Sequence, residues 1–319
     1  MKRLLVGYRA QDLFVKGRRG AKQPSPLLDG EVTCHALDIY HRHAIEKTHH
    51  VKAVCSAHLP EGPWDEIYFK TGPKLMSGEL SLDMLQEISR LTGGDLRPPR
   101  FHLEFEGKER DRNALLEKIV GDPGRVRDFS STWRASVPGC EPIELTSLPG
   151  CFCHRRADDG GLALAEVVSR ELSARGDAAE GLEFLDMGCG CGLVGFLVAS
   201  AVKGVGLVMV DSHSRAVEAA TLNSKRLGIP AEIILSDNGT PARMDGSFDV
   251  FAGNPPYYSD YRIAEVFLET AVRALKPGGT CYTVVKNDAG LKPVQERYFP
   301  SVEVVRRRGY CVLKSVKTA

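Results

Sequence analysis

Residues 182–195 read Leu-Glu-Phe-Leu-Asp-Met-Gly-Cys-Gly-Cys-Gly-Leu-Val-Gly, and the fold of the chain is decided there. The apolar run Leu182, Phe184, Leu185 predicts a short buried strand, and Gly188, Gly190 and Gly192 then let the backbone turn sharply. From Leu193 to Val202 the residues are small and apolar, as on a buried helix. A strand, a tight turn and a helix open a mononucleotide-binding unit, and an α/β fold with parallel strands follows.

Two cofactors compete for this turn. Gly190-Cys-Gly192-Leu-Val-Gly195 satisfies G-x-G-x-x-G, and Asp211 ends a second apolar strand (Leu207 to Val210) about twenty residues on, where a carboxylate takes a ribose in dinucleotide folds. Asp186, an acid on the turn itself, sits poorly beside a pyrophosphate but suits an ammonium group. Asp186-x-Gly188-x-Gly190-x-Gly192 resembles motif I of the class I S-adenosylmethionine-dependent methyltransferases, in which the acid and the glycine turn hold the methionine end.

Composition sets outer limits. The 319 residues leave room for two ordinary domains. A formal net charge of +1, from 42 basic and 41 acidic residues, confines any nucleic-acid contact to a local patch. Nine cysteines without a secretory signal or a long apolar run predict a reduced, cytoplasmic protein without a membrane segment. The pairs Cys151/Cys153 and Cys189/Cys191 lack the usual C-x2-C spacing, and the second lies inside the turn, so no metal is expected. His35, His41, His43, His49 and His50 have no companion ligands and are assigned to a polar helix face. Lys16 to Lys22 reads as a solvated loop.

Residues 64–106 and 248–285 repeat one pattern. Trp64 to Phe69 predicts a strand, Leu80 to Leu91 a helix, Gly93-Gly94 its stop, and Phe101, Leu103, Phe105 a second strand. Later come Phe248 to Phe251, Ala264 to Leu275, Lys276-Pro-Gly278-Gly279 and Cys281 to Val285. Trp64 to Gly93 spans 29 residues and Phe248 to Gly278 spans 30. An internal duplication is inferred. Where the second copy has Asn254-Pro255-Pro256-Tyr257 the first has Lys70-Thr71-Gly72-Pro73, and it lacks the glycine-rich turn. The expected architecture is two Rossmann-like, methyltransferase-type domains in tandem: a degenerate one over residues 1–135, serving as scaffold or RNA binder, and a catalytic one over 136–319.

Residues 107–161 join the halves. Arg110, Arg112, Arg125, Arg127, Arg134, Arg155 and Arg156, interleaved with Phe129 and Trp133, suit single-stranded RNA or a solvated linker equally. Beyond Asp211 a helix (Ser214 to Leu227) and a strand (Ala231 to Leu235) lead to Ser236-Asp237-Asn238. In an open α/β sheet ligands bind at the carboxyl ends of strands, so Asp186, Asp211 and Asp237 reach one edge. By resemblance to the methyltransferases, Asp186 serves the methionine end, Asp211 the ribose and Asp237 the adenine, and Ser212 and Asn238 are further candidates for holding the cofactor.

Asn254-Pro255-Pro256-Tyr257 sets the reaction class. An exocyclic amine is a poor nucleophile because its lone pair is delocalised; acceptors that take both hydrogens free it. The Asn254 side-chain oxygen and the Pro255 carbonyl fill that role, two prolines stiffen the turn, and Tyr257 offers a flat face. With Leu148-Pro-Gly-Cys-Phe152, Arg156-Ala-Asp158-Asp159-Gly160-Gly161 and Asn254 to Tyr257, the chain resembles the ribosomal RNA guanine-N2 methyltransferases of the RsmC and RlmG kind. The resemblance implies S-adenosylmethionine as cofactor and ribosomal RNA, a ribosomal subunit or an assembly intermediate as partner. Tyr258-Ser-Asp-Tyr261 and Lys286-Asn287 depart from that family's usual His-Gly and Ala-Asn, which leaves the target nucleotide open. The alternatives are methylation of an adenine or a protein glutamine, or a non-catalytic RNA-binding assembly protein.

Overall fold

A computed structural model describes residues 1–16, 21–120, 126–256 and 261–318. The chain divides into two compact units. One is Met1–Ser130 with His213–Arg215, and the other is Ser131–Ser212 with Ala216–Ala319.

The amino-terminal unit contains β1 (Lys2–Val6), β2 (Phe14–Lys16), β3 (Lys22–Pro24), β4 (Glu31–Ala36), α1 (Ile39–His49), β5 (Lys52–Cys55), β6 (Glu66–Thr71), α2 (Gly78–Leu91), β7 (Phe101–Phe105) and α3 (Glu109–Val120). Five strands form a parallel sheet in the order β5-β4-β1-β6-β7. Lys16 and Lys22, the ends of the expected loop, are ladder partners of β2 and β3, and residues 17–20 lie outside the described residues. Helix α2 starts where the Ser77 hydroxyl accepts the Leu80 N–H, and it buries Leu82, Leu85 and Ile88 against the sheet. His35 corrects the histidine assignment: it lies on β4, not on a helix, is buried, and bonds the Ser56 carbonyl at 2.8 Å. Burial depresses its pKa to about 4, so it is a neutral core residue.

The carboxyl-terminal unit contains β8 (Ser131–Ala135), β9 (Ile143–Ser147), α4 (Asp159–Ser173), β10 (Glu183–Met187), α5 (Leu193–Ala201), β11 (Gly206–Asp211), α6 (Ser214–Leu227), β12 (Glu232–Leu235), β13 (Phe248–Gly253), α7 (Arg262–Ala274), β14 (Leu275–Val285), α8 (Asp288–Gln295), β15 (Glu303–Arg307) and β16 (Tyr310–Val316). Its seven-stranded sheet runs β12-β11-β10-β13-β14-β16-β15, and only the β16 pairings are antiparallel. Strand alternation sends neighbours to opposite faces. Phe184 joins the core with Val167, Phe196 and Leu197, while Leu185 joins Phe251, Phe267 and Leu268 on the other face. Burial on both faces explains why β10 reads as a nearly continuous apolar run.

The division falls five residues before the expected one, because β8 pairs antiparallel with β9 and so belongs to the carboxyl-terminal unit. The segment between the halves is therefore largely structured. Phe129 packs on the amino-terminal core, and Trp133 packs on the carboxyl-terminal core with its indole N–H on the Ser147 hydroxyl at 3.2 Å. Both aromatics are half-buried, each with part of its ring on a core. Arg125 lies outside the described residues.

The two sheets are the same unit drawn twice. Gly7 (φ +79°) follows β1 as Gly188 (φ +70°) follows β10, and each strand has its parallel neighbours on the same two sides. In register, Val6 pairs with His35 and Phe69, and Met187 with Val210 and Gly253. Counting outward from the glycine, Leu5 stands where Asp186 does, Ala36 where Asp211 does, and Lys70 where Asn254 does. One strand further, Ala36 pairs with Cys55 and Asp211 with Leu235, which sets Ala57 against Asp237. The duplication is thus real in the fold, and at none of these positions does the first copy carry the residue of the second.

Candidate active site

The site forms at the carboxyl ends of β10 to β13. All three turn glycines take positive φ: Gly188 +70°, Gly190 +56° and Gly192 +92°. A Cβ on Gly192 would lie 2.3 Å from the Phe196 ring and one on Gly188 2.8 Å from the Phe267 ring, so only glycine fits both. Gly190 differs, since no atom lies within 4 Å of the place its Cβ would take. The turn is closed by protein at both ends and faces open space at its middle.

Hydrogen bonds fasten the turn. The Gly188 and Cys189 N–H groups donate to the Val210 carbonyl at 2.8 and 3.1 Å. Gly190 N–H donates to Asp211 Oδ2 at 2.8 Å, so Asp211 links the second strand to the turn. Asn223, fully buried on α6, donates through Nδ2 to the Cys191 carbonyl at 2.9 Å and to the Thr146 carbonyl at 2.8 Å. Sequence reasoning missed Asn223; a lone polar residue on an amphipathic helix carries no signal of what it braces.

Asp186 is 2% exposed, and its Oδ2 accepts the Gly195 N–H at 2.8 Å. It therefore ties β10 to the first turn of α5 beneath the glycines. Burial pushes its pKa up to about 7, against the Gly195 N–H, which favours the charged form, and with the Asp211 charge adding to the rise. Burial also pushes the Cys191 thiol up to about 12 and the Cys189 thiol well up. Both are protonated thiols, unlike the thiolates that ligate metals. All nine cysteines are free, and no metal-binding cluster occurs among the described residues.

Asp237 and Asn238 follow β12, where the Ser236 hydroxyl meets Asn238 Oδ1 at 2.9 Å. Ser212 directly follows β11. Asn254, Pro255 and Pro256 leave β13 beside the turn, since Met187 and Gly253 are ladder partners. Pro255 is buried and Asn254 half-buried. Tyr257 lies outside the described residues, as do 258–260. Asn254 Nδ2 donates to Asp158 Oδ2 at 2.8 Å, and the same oxygen accepts the Gly161 N–H at 2.7 Å, capping α4. The structure thus brings Asp186, Asp211, Asp237, Asn254 and the three glycines to one sheet edge, as expected, and adds Asp158 to them.

At the site's margin Lys286, just past β14, lies over the Tyr310 ring at 4.1 Å. Glu166 is buried and accepts from Arg307 Nε at 2.7 Å and Arg308 Nε at 2.8 Å, which fixes the β15–β16 turn against α4. A separate cavity of about 220 Å³ belongs to the amino-terminal unit, where Val6, Gly7, Tyr8, His35 and Met76 line it. It occupies the end of the first sheet that corresponds to this site.

Residues 142–314 match the family model for the methyltransferase small domain. The chain belongs to this family. The match runs from the start of β9 into β16 and leaves residues 1–141 outside it. Among curated relatives, a ribosomal RNA small subunit methyltransferase C of Stutzerimonas stutzeri is 27% identical over 273 residues, 76% of each chain. The protein of that name from Pseudomonas aeruginosa is 30% identical over 172 residues, 52% of this chain and 48% of its own. The chain spans about half the length of several such relatives, with 56%, 48% and 46% of them covered in Haemophilus influenzae, Pseudomonas syringae and Hahella chejuensis. The structure of a Thermus thermophilus 16S rRNA N2 G1207 methyltransferase, solved with AdoMet and guanosine, shares the fold with a TM-score of 0.73 at 18% identity, covering 99% of this chain and 88% of that one. Both units are thus present in one known architecture. The methyltransferase family decides against a dinucleotide in the glycine turn. No helix among the described residues is long and apolar enough to cross a membrane.

Proposed function

We propose that the carboxyl-terminal unit binds S-adenosylmethionine over the glycine turn and methylates the exocyclic 2-amino group of a guanine in ribosomal RNA. The carrying observation is the placement of Asn254-Pro255-Pro256 at the end of β13, one strand from the turn whose middle glycine faces open space. The cofactor fits that turn: backbone without side chains allows close approach, and Asp211 and Asp237 stand at successive strand ends for ribose and adenine. Asp186 acts from beneath by holding the turn's shape. When bound, the cofactor supplies an electrophilic methyl group on sulfur.

The protein's part is orientation. Asn254 Oδ1 and the Pro255 carbonyl accept the two amine hydrogens, drawing the nitrogen lone pair out of the ring π-system. The turn is rigid because two prolines fix its φ angles. The methylated nitrogen is acidic and releases its proton to water, so no strong base is required. The target base leaves its stack to reach the site, and Tyr257 is the residue for it to lie against. Guanine is favoured over adenine or a glutamine amide because the structure that shares the fold over 99% of this chain is that of a 16S rRNA N2 G1207 methyltransferase in complex with AdoMet and guanosine.

Mass spectrometry of ribosomal RNA nucleosides from cells lacking the protein tests this reading. Loss of an N2-methylguanosine supports it; an unchanged guanosine profile with a lost N6-methyladenosine overturns the base assignment. Asn254→Ala is expected to cut single-turnover methyl transfer by roughly 10²–10³-fold, with cofactor affinity nearly unchanged.

A further inference from the structure

We propose that Asp158 is a positioning residue for the reaction: it holds the Asn254 side chain in the one amide orientation that can activate an amine. This rests on the amino-methylation reading above. An asparagine side chain has an accepting end and a donating end of nearly equal shape, and only the accepting end serves the mechanism. A flipped amide would point two N–H bonds at the two N–H bonds of the target and repel it.

The loop before α4 resolves the ambiguity. An ionised carboxylate only accepts, so whichever end of Asn254 meets Asp158 must be the NH2. That contact is Nδ2 to Oδ2 at 2.8 Å. The carboxylate cannot turn away, because the same Oδ2 takes the Gly161 N–H at 2.7 Å as the helix N-cap. Local packing keeps it there. A Cβ on Gly160 would come within 3.1 Å of Oδ2 and 3.2 Å of the Tyr310 ring, and one on Gly161 within 2.9 Å of Leu193. The pair of glycines after Asp158-Asp159 thus lets helix α4 start directly against the site. Oδ1 of Asp158 lies 3.7 Å from Cys153 Sγ, whose residue takes the left-handed conformation at φ +51°. With NH2 committed to Asp158, Asn254 Oδ1 is left for the acceptor amine.

The discriminating variant is Asp158→Ser. Serine is as good an N-cap as aspartate, so Gly161 keeps its partner and α4 its start. Its single oxygen sits one bond nearer the backbone and is taken by the Gly161 N–H, so no carboxylate oxygen reaches Asn254 and the amide loses the contact that selects its orientation. We expect single-turnover methyl transfer to fall about 10–100-fold, the scale of a misplaced group at a reacting centre, with S-adenosylmethionine affinity within about twofold of wild type. Asp158→Asn, whose oxygen can stand in the place of Oδ2 and accept from both Gly161 and Asn254, should keep most of the activity. Because Asp158 acts through Asn254, the Asp158→Ser change in an Asn254→Ala background should cost less than about twofold. A loss of about tenfold or more in both backgrounds would overturn the proposal in favour of a structural role, as would near wild-type transfer by Asp158→Ser.

A readout that needs no methyl acceptor separates this from the reaction itself. In 15N spectra of the full chain the Asn254 NH2 signal, identified by its disappearance in Asn254→Ala, should shift in Asp158→Ser. An unshifted signal sinks the positioning role. A shifted signal in a wild-type protein that methylates no RNA amine leaves the orientation standing and sinks the reaction assigned above.

Discussion

Asp186 should make the carboxyl-terminal unit less stable as pH rises through the neutral range, opposite to the usual carboxylate. The group is buried, and its folded pKa lies at about 7 against an ordinary value of 3.8. A raised folded pKa means that the folded state holds the proton more tightly than the unfolded chain. Its favourable contribution is full below about pH 4 and is lost progressively as pH climbs to about 7, where the folded carboxyl ionises too. Each pH unit in that window is worth about 1.4 kcal/mol, so the whole interval amounts to about 4 kcal/mol. That is a large share of the ~5–15 kcal/mol by which a domain is stable. Urea unfolding read from Trp133 in a Trp64→Phe background isolates the carboxyl-terminal unit, since Trp64 belongs to the other one. Asp186→Asn preserves an oxygen for the Gly195 N–H and removes the titration. The variant should match wild type near pH 4.5 and exceed it by about 2–4 kcal/mol at pH 8. A gap between the two proteins that stays constant from pH 4.5 to 8 would refute the reasoning.

Replacing Asp211 with Ala removes both the proposed ribose acceptor and the anchor of Gly190 N–H, and should weaken S-adenosylmethionine by about 1.5–3 kcal/mol in calorimetric titration. NAD should show no heat with the wild-type protein; tight NAD binding would return the turn to the dinucleotide alternative. Lys70 is 8% exposed and bonds Asp12 at 3.2 Å, Glu104 at 2.8 Å and Glu106 at 2.9 Å. Burial alone would lower its pKa, but these three bonds outweigh burial and hold the ammonium charged. Lys70→Met should therefore destabilise the amino-terminal unit by about 1–3 kcal/mol, less than for a fully buried pair because Glu104 and Glu106 are half in water. Trp64 fluorescence during unfolding reads that loss, and an unchanged midpoint would mean that the cluster contributes nothing.

The parts of the site that lie along one strand-turn-helix were legible in the sequence. Glycines that must adopt positive φ, an acid at each strand end and Asn-Pro-Pro after a β-run are local patterns, and the sheet collects them by its topology alone. Contacts between segments far apart in the chain were not legible. Asp158 and Asn254 are 96 residues apart, and nothing near Asp158 except an Asp-Asp-Gly-Gly helix start marks it; that start explains the cap but not the partner. The core contacts of Phe129 and Trp133 were illegible for the same reason, since composition counts aromatics without saying which core receives them. The boundary moved to Ser131 because a hairpin's allegiance depends on what its strands pack against, as Thr146 does in accepting Asn223 across 77 residues.

The duplicated sheet shows what the active positions cost. At the end of the central strand the first copy has Leu5, fully buried, where the second has Asp186 with its pKa driven up by burial. An apolar side chain is the stable occupant of a position covered on both faces, and a carboxyl there is tolerated only because Gly195 N–H meets it. At the next strand end, Ala36 replaces an acid that must hold the turn. At the fourth, Lys70 closes with three carboxylates the place that Asn254 leaves half open. Each replacement puts self-contained packing or pairing in place of a group that fastens the glycine turn or lies half open beside it. The amino-terminal unit is thus a reference state for the other: the same order over five strands, without the acids and the asparagine at their ends. Restoring Leu at position 186 should accordingly stabilise the carboxyl-terminal unit at pH 8 only if the Gly195 N–H finds another acceptor, because an unpaired buried amide costs about as much as the leucine contributes.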